Sequence, residues 1–237
     1  MKYWTTKSGV QIHRVLQGRC NCYLVSRDNR FLLIDAGTKR SWHNLEKGLN
    51  QLGVTPESPI PLVLTHCHFD HAENAARFKS TYNASILVHK NEADDLKRGR
   101  NPRISGTLFP TRILSGILYR TPVVSLLDYE PVECDVPLQE ETALEPLGFP
   151  GCLLHTPGHT PGSISAIIDD EIAIVGDTMV GFFPGSVFPP FAVDVKQLVN
   201  SWRTLLDTGC ETYLPAHGSE RSRDVLQRQY NNNRGRS

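Results

Sequence analysis

The chain has 237 residues, 39% of them hydrophobic, enough to bury one substantial core, and a single domain over 1–230 is the expected arrangement. Lys plus Arg and Asp plus Glu stand at 25 each, so no global field would draw in nucleic acid or an anionic membrane surface. Neither the opening MKYWTTK nor any later run has the apolar continuity of a signal peptide or a membrane span, which reads as a soluble cytoplasmic protein with six free cysteines.

In chain order, strands over 10–16, 22–26 and 30–35 look like an antiparallel meander, with Asp28-Asn29 as a hairpin turn signal. Cys20 and Cys22 are spaced like half a zinc site, but no second pair completes it, and both read as strand residues. The run Leu32-Leu33-Ile34-Asp35-Ala36-Gly37 ends a buried strand in a carboxylate. Asp35 therefore either caps the helix that follows or orients a metal-binding side chain from behind. That helix, over 41–52, sets Trp42, Leu45, Leu49 and Leu52 at helical spacing.

The apolar run 61–64 leads into Thr65-His66-Cys67-His68-Phe69-Asp70-His71. Such a density of ligand types at the end of a buried strand is expected where a sheet edge delivers imidazoles to a cation. His66 and His68 have period-two spacing, so an extended segment points both the same way and Cys67 the other. Asp70 and His71 fall where the chain starts a helix over 72–80, which lets them approach from another direction. The alternative is an accidental polar cluster, against which the later ligands weigh.

A strand over 85–89 ends in His89, read as an ordinary polar residue, and a charged helical segment covers 91–98. Lys97, Arg98, Arg100 and Arg103 read as a solvated basic face. The segment 104–137 is broken by prolines yet notably apolar, through Leu108, Phe109, Ile113, Leu114, Ile117, Leu118 and Tyr119, and positions 113, 114, 117 and 118 fit one face of a short helix. It covers the core, lines a pocket, or meets a second copy of the chain in a homodimer. Strands over 152–155, 163–168 and 171–175 follow, with Asp169-Asp170 as a turn and His155 as a structural residue. A helix over 195–206, a strand over 212–214, a helix over 220–230 and a disordered polar tail over 231–237 complete the chain.

Three further candidate ligands stand after apolar strand-like runs: His159, Asp177 and His217. With the first cluster they supply five His and two Asp, which suits two tetrahedral or five-coordinate metals once a bridging water is added. Phe182, Phe183, Phe188 and Phe191 follow Asp177 closely, either as an apolar pocket wall or as loop packing.

Through Leu33-Ile34-Asp35-Ala36-Gly37, the H-x-H-x-D-H run, His159, Asp177 and His217, in that order, the sequence resembles the metallo-β-lactamase-fold hydrolase superfamily. The resemblance implies an α/β fold, an αββα sandwich of two mixed sheets flanked by helices, with the metals in the cleft at the sheet edges. It implies His66, His68 and His159 as ligands of one ion, Asp70, His71 and His217 as ligands of the other, and Asp177 as the bridging carboxylate. Two divalent ions are implied, zinc first, with iron or manganese as alternatives. The expected reaction is attack of a bridging hydroxide on an ester, thioester or lactone carbonyl of a small molecule, with Asp70 passing a proton to the leaving group and Asp35 orienting an imidazole.

Departures narrow the family. β-Lactamases of this fold lack the bridging aspartate, its nucleases carry a large insertion or an RNA-binding arm, and glyoxalase II-like thioesterases carry a helical glutathione-binding domain after the last histidine. In ligand set the sequence is similar to glyoxalase II-like and lactonase-like members. Alternatives are a persulfide dioxygenase-like oxidoreductase with one iron, a phosphodiesterase of the same fold, and a non-catalytic metal binder.

Overall fold

The computed structural model describes residues 1–118 and 120–236; Tyr119, part of the apolar segment above, and Ser237 lie outside the described residues. The alternation read in the first third becomes one edge of a seven-stranded sheet: β1 (Tyr3–Thr5), β2 (Gln11–Leu16), β3 (Cys22–Arg27), β4 (Arg30–Ile34), β5 (Leu62–Val63), β6 (Ile86–His89) and β7 (Val136–Leu138), in that spatial order. The pairings up to β4 are antiparallel and those from β4 to β7 are parallel. The Asp28-Asn29 turn has φ of 49° and 58°, the left-handed pair that a tight hairpin turn requires, and Asp169-Asp170 repeats it at 59° and 52°.

The second sheet is six-stranded: β8 (Glu141–Ala143), β9 (Gly151–His155), β10 (Ile164–Ile168), β11 (Ile172–Gly176), β12 (Thr212–Pro215) and β13 (Arg221–Ser222). Its order is β13-β12-β11-β10-β9-β8, and only β11 and β12 pair in parallel. Both sheets are thus mixed, as expected.

Period-two alternation decides which layer each residue faces. Val25, Leu32, Ile34 and Val63 of the first sheet meet Ile164, Ile172, Ile174 and Leu214 of the second in the buried layer between them. Their neighbours Leu24, Leu33, Leu62 and Leu64 face outward onto α1 (Trp42–Asn50), α3 (Ala75–Tyr82) and α4 (Ala93–Arg98), through Leu45, Leu49, Phe78, Tyr82 and Leu96. On the far side, Ile167, Ala173, Val175 and Tyr213 pack on Leu198, Trp202 and Leu205 of α6 (Val195–Asp207) and Leu226 of α7 (Arg223–Asn233). Asp194 caps α6 by accepting the Gln197 N–H at 3.0 Å. Among the described residues no helix is long and apolar enough to cross a membrane.

Several expectations change. The helix expected over 72–80 is two pieces, α2 (Phe69–Ala72) and α3, so Asp70 and His71 sit inside a helical turn rather than ahead of it. The break falls where the Asn74 amide donates to the carbonyls of Ala36 and Thr38. Cys20 is not a strand residue; it lies in the bend before β3, buried beside His71. The apolar stripe of α5 (Phe109–Leu118) does not cover the core: Ile113, Leu114 and Ile117 are half exposed and Phe109 is more so. The segment 104–137 also ends in sheet, since β7 includes Pro137 at an edge position, where a missing N–H costs nothing. Within the stretch expected as a disordered tail, helix α7 runs past 231 to Asn233 and a 3-10 turn covers Arg234–Arg236, while Ser237 at its end lies outside the described residues.

Candidate metal centre

The site forms where strand ends of both sheets meet. Parallel pairing of β4 with β5 puts Asp35 beside Thr65, and parallel pairing of β11 with β12 puts Asp177 beside the Pro215-Ala216-His217 turn. The Ile164 N–H donates to Thr65 O at 2.9 Å, joining the two sheets at this edge. Gly176, at φ +50°, has no Cβ to collide with the Thr65 side chain, so Asp177 can follow directly against that strand end. Gly158, at φ +131°, lies against the Leu198 backbone in the same way and turns the chain that carries His159 back onto α6.

Three imidazoles converge first. His66 Nε2 is 2.9 Å and His159 Nε2 3.0 Å from His68 Nδ1. Their far nitrogens face fixed partners: His66 Nδ1 lies 3.1 Å from Thr65 Oγ1, whose own proton goes to Asp35, and His159 Nδ1 donates to Phe191 O at 3.0 Å. These partners put the protons on Nδ1 and leave the Nε2 lone pairs of His66 and His159 facing the centre. Tetrahedral ligands at zinc-nitrogen bond lengths would stand roughly 3.3 Å apart, close to the observed spacing.

The second group is looser. His71 donates from Nδ1 to Asp35 Oδ2 at 2.9 Å, which turns Nε2 towards Asp177 Oδ1 at 3.6 Å. His217 Nε2 lies 3.2 Å from Asp177 Oδ2 and 3.7 Å from Asp70 Oδ2. Asp177 Oδ2 is also 3.5 Å from His159 Nε2, so one carboxylate faces both groups. His71 Nε2 and Asp177 Oδ1 are buried with no hydrogen-bond partner among the described residues. Buried polar atoms left in that state are costly, and together with five nitrogens and two carboxylates they fit divalent metal ions.

The electrostatics agree. Burial, and then the neighbouring imidazoles, hold His66 and His68 well below the ordinary imidazole value, and burial lowers His159, so these three are neutral donors. Burial pushes the Asp177 carboxyl up, but the facing His217, His71 and His159 override it and keep it well below the usual carboxylate range. For His71 burial works downward and is outweighed by Cys20, Asp35 and Asp177, while for His217 it is outweighed by Asp177. The acidic groups demand positive charge where the ligand atoms meet.

Asp35, 2% exposed, holds φ +61°, a conformation rarely adopted outside glycine, asparagine and aspartate. Its carboxylate accepts the Thr65 N–H at 2.8 Å as well as the Thr65 hydroxyl and His71 Nδ1, so of its two expected roles the structure gives it the orienting contact. A cavity of about 510 Å³ opens above the ligands, within the range of small-molecule sites, and is walled by Phe69, Ile104, Leu127, Val180, Phe182 and Phe191 among others. Phe182 stacks on the His217 ring. Phe183 does not join the cavity wall expected of it; it is 72% exposed.

Sequence reasoning missed Thr65, Cys20 and Glu92. The last is 1% exposed and accepts the Cys67 N–H through Oε2 and the Gly162 N–H through Oε1, both at 3.0 Å. It thereby ties the strand end carrying His66 and His68 to the loop carrying His159. A lone glutamate in a charged segment gives no signal of this. His89 and His155 stack at 4.0 Å beyond the centre, and His155 also contacts Glu140 at 2.7 Å.

A family model of the metallo-beta-lactamase superfamily matches residues 15–217. A Methanocaldococcus jannaschii protein described as a probable metallo-hydrolase is 30% identical over 204 residues, 84% of this chain and 87% of its own. A Cronobacter sakazakii metallo-beta-lactamase with a HARLDQ motif superposes with a TM-score of 0.69 at 18% identity, over 99% of this chain and 92% of that one. TTHA1623, solved in a di-iron-bound form, superposes with a TM-score of 0.65 at 25% identity, over 92% of this chain and 98% of that one. The chain therefore belongs to the metallo-beta-lactamase superfamily, as one of its metal-dependent hydrolases.

Proposed function

We propose that the chain is a dinuclear hydrolase of small molecules that cleaves an ester, thioester or lactone. The observation that carries this reading is Asp177, whose two oxygens face separate imidazole groups, Oδ2 towards His159 and His217 and Oδ1 towards His71. His66, His68 and His159 would hold one ion, Asp70, His71 and His217 the other, and Asp177 would bridge them. Zinc is the proposed occupant; the di-iron form of TTHA1623 makes iron the alternative. Two bound divalent ions would supply a water acidic enough to serve as nucleophile near neutral pH, and a Lewis acid for the substrate carbonyl.

The chain's own residues do the rest. Asp35, Thr65 and the Phe191 carbonyl hold three imidazoles in one tautomer each, so their lone pairs are aimed before any substrate arrives. Asp70 borders the cavity and can carry a proton to the leaving group. Phe69, Phe182 and Phe191 bind the apolar part of the substrate and keep bulk water out.

The test is elemental analysis of purified protein, followed by lactones, thioesters and phosphodiesters on metal-quantified samples. Two ions per chain, with carbonyl substrates turned over and activity lost in Asp177→Ala and His159→Ala, is the expected result. One iron per chain without hydrolysis would favour the oxidoreductase reading, and activity surviving His159→Ala unchanged would refute the ligand assignment.

A further inference from the structure

The cavity wall is apolar except for the metal-facing residues, Asn101 and Arg19. Asn101 is spent on structure: its Oδ1 accepts the Phe69 N–H at 2.9 Å and its amide donates to the Pro102 carbonyl at 3.3 Å. Arg19 is different. It is the one arginine or lysine among the described residues lining the cavity, it is exposed, and no carboxylate among those residues pairs with it. Its guanidinium lies 4.8 Å above the Phe69 ring. Stacking uses the π-face of the guanidinium and leaves its in-plane N–H donors available.

The backbone beneath Arg19 is held in place. The Asn21 N–H donates to Ala216 O at 2.7 Å, and the Asn21 amide donates to the carbonyls of Pro215 and Gly218 at 3.2 and 3.0 Å. The bend carrying Arg19 is thus tied to the turn carrying His217. Phe69, on which the guanidinium rests, lies between the proposed ligands His68 and Asp70. A forked cation is therefore set at a defined place on the rim, with an apolar surface between it and the reaction centre.

We infer that Arg19 selects the substrate: the site takes a thioester or ester with an apolar acyl part and a carboxylate on the far side of the scissile bond. The planar fork of the guanidinium matches a carboxylate through two parallel N–H···O bonds. In the reaction the water oxygen joins the acyl carbon, the C–S or C–O bond breaks, and the thiol or alcohol leaves with a proton, still carrying its carboxylate. The inference rests on the hydrolase reading above.

A matched set of substrates tests it on the metal-loaded full chain: the S-phenylacetyl thioesters of 3-mercaptopropionate, of its neutral amide, and of 2-mercaptoethylphosphonate. The carboxylate is expected to exceed the amide about tenfold in kcat/KM, through KM, the scale of one charge-assisted hydrogen bond. In Arg19→Gln the ratio should fall to within about twofold, with Arg19→Lys keeping part of it. A ratio near one in the parent, or a ratio untouched by Arg19→Gln, overturns the inference; a phosphonate preferred over the carboxylate overturns its carboxylate assignment. A second readout needs no turnover: calorimetric binding of the thioether analogues in which the acyl carbonyl is replaced by CH2. If no thioester is cleaved, the thioester assignment fails while ester and lactone hydrolysis stays open to the substrate panel above. The thioether pair still decides Arg19, since equal binding of carboxylate and amide overturns the inference and a preference lost in Arg19→Gln upholds it.

Discussion

Replacing Glu92 by glutamine removes one charge and almost no volume, yet it should loosen the metal centre from a position that touches none of the ligands' side chains. Both carboxylate oxygens accept buried backbone N–H groups, one between His66 and His68 and one three residues after His159. A carboxamide offers one acceptor and one NH2 donor, so either the Cys67 or the Gly162 N–H must face another donor. An orphaned buried donor costs about 1–3 kcal/mol, and losing a charge-assisted bond costs a similar amount, though the two overlap. Against this, burial pushes the Glu92 carboxyl up, so removing the charge recovers part of its desolvation cost. A net loss of roughly 2 kcal/mol is expected, which lowers Tm by about 4–8 °C in a chain of this size. Chelator competition should show weaker metal retention alongside the Tm shift. Gly162→Ala is an independent perturbation of the same contact, because a Cβ there would collide with the Glu92 side chain. If Glu92→Gln leaves both Tm and chelator resistance unchanged, the carboxylate does not couple the two ligand-bearing segments.

Two further substitutions separate geometry from charge. Asp35→Asn keeps a residue that tolerates φ +61° but presents His71 with an amide in place of a carboxylate; metal affinity measured by chelator competition should fall about 10–100-fold while the fold is kept, and unchanged affinity would remove Asp35 from the orienting role. His89 is fully buried, and burial, then the stacked His155 ring and Lys90, outweigh the pull of Glu140 and hold its pKa down at about 4. Because this folded value lies below the ordinary 6.5, the unfolded chain takes up a proton that the folded chain refuses, so stability present above pH 6.5 is lost as the pH falls towards 4. The loss is at most about 3 kcal/mol. Urea unfolding at pH 7 and pH 4.5 should show a smaller pH dependence in His89→Leu than in the parent; equal dependence would refute the assignment.

The site was legible in the sequence wherever a ligand follows a strand that must be buried. Period-two spacing puts His66 and His68 on one side and Cys67 on the other, and the structure has the two rings 2.9 Å apart at their facing nitrogens with Cys67 in the core beneath the helices. His159, Asp177 and His217 were each visible as a polar residue after an apolar run, and parallel pairing of β11 with β12 turns two such positions into neighbours. What could not be read are contacts made by residues that no local pattern marks. Thr65 is one more residue after a strand until its hydroxyl is seen between Asp35 and His66, and Arg19 is one more exposed arginine until the bend is tied to the His217 turn.

Periodicity also has a limit that α5 shows. The spacing of Ile113, Leu114 and Ile117 correctly gives an apolar face on a helix, but spacing describes one element and burial needs two. Ile113, Leu114 and Ile117 stay half exposed, so that face is only partly covered. The tail shows the converse. A polar sequence from 231 onward lacks any signal for order, yet α7 continues to Asn233, where the side-chain amide donates to the Gln229 carbonyl one turn back. Composition measures how much apolar surface a segment can bury, and a terminal turn already propagated from a packed helix needs little of its own, since each added residue brings one more backbone bond to a nucleus that exists.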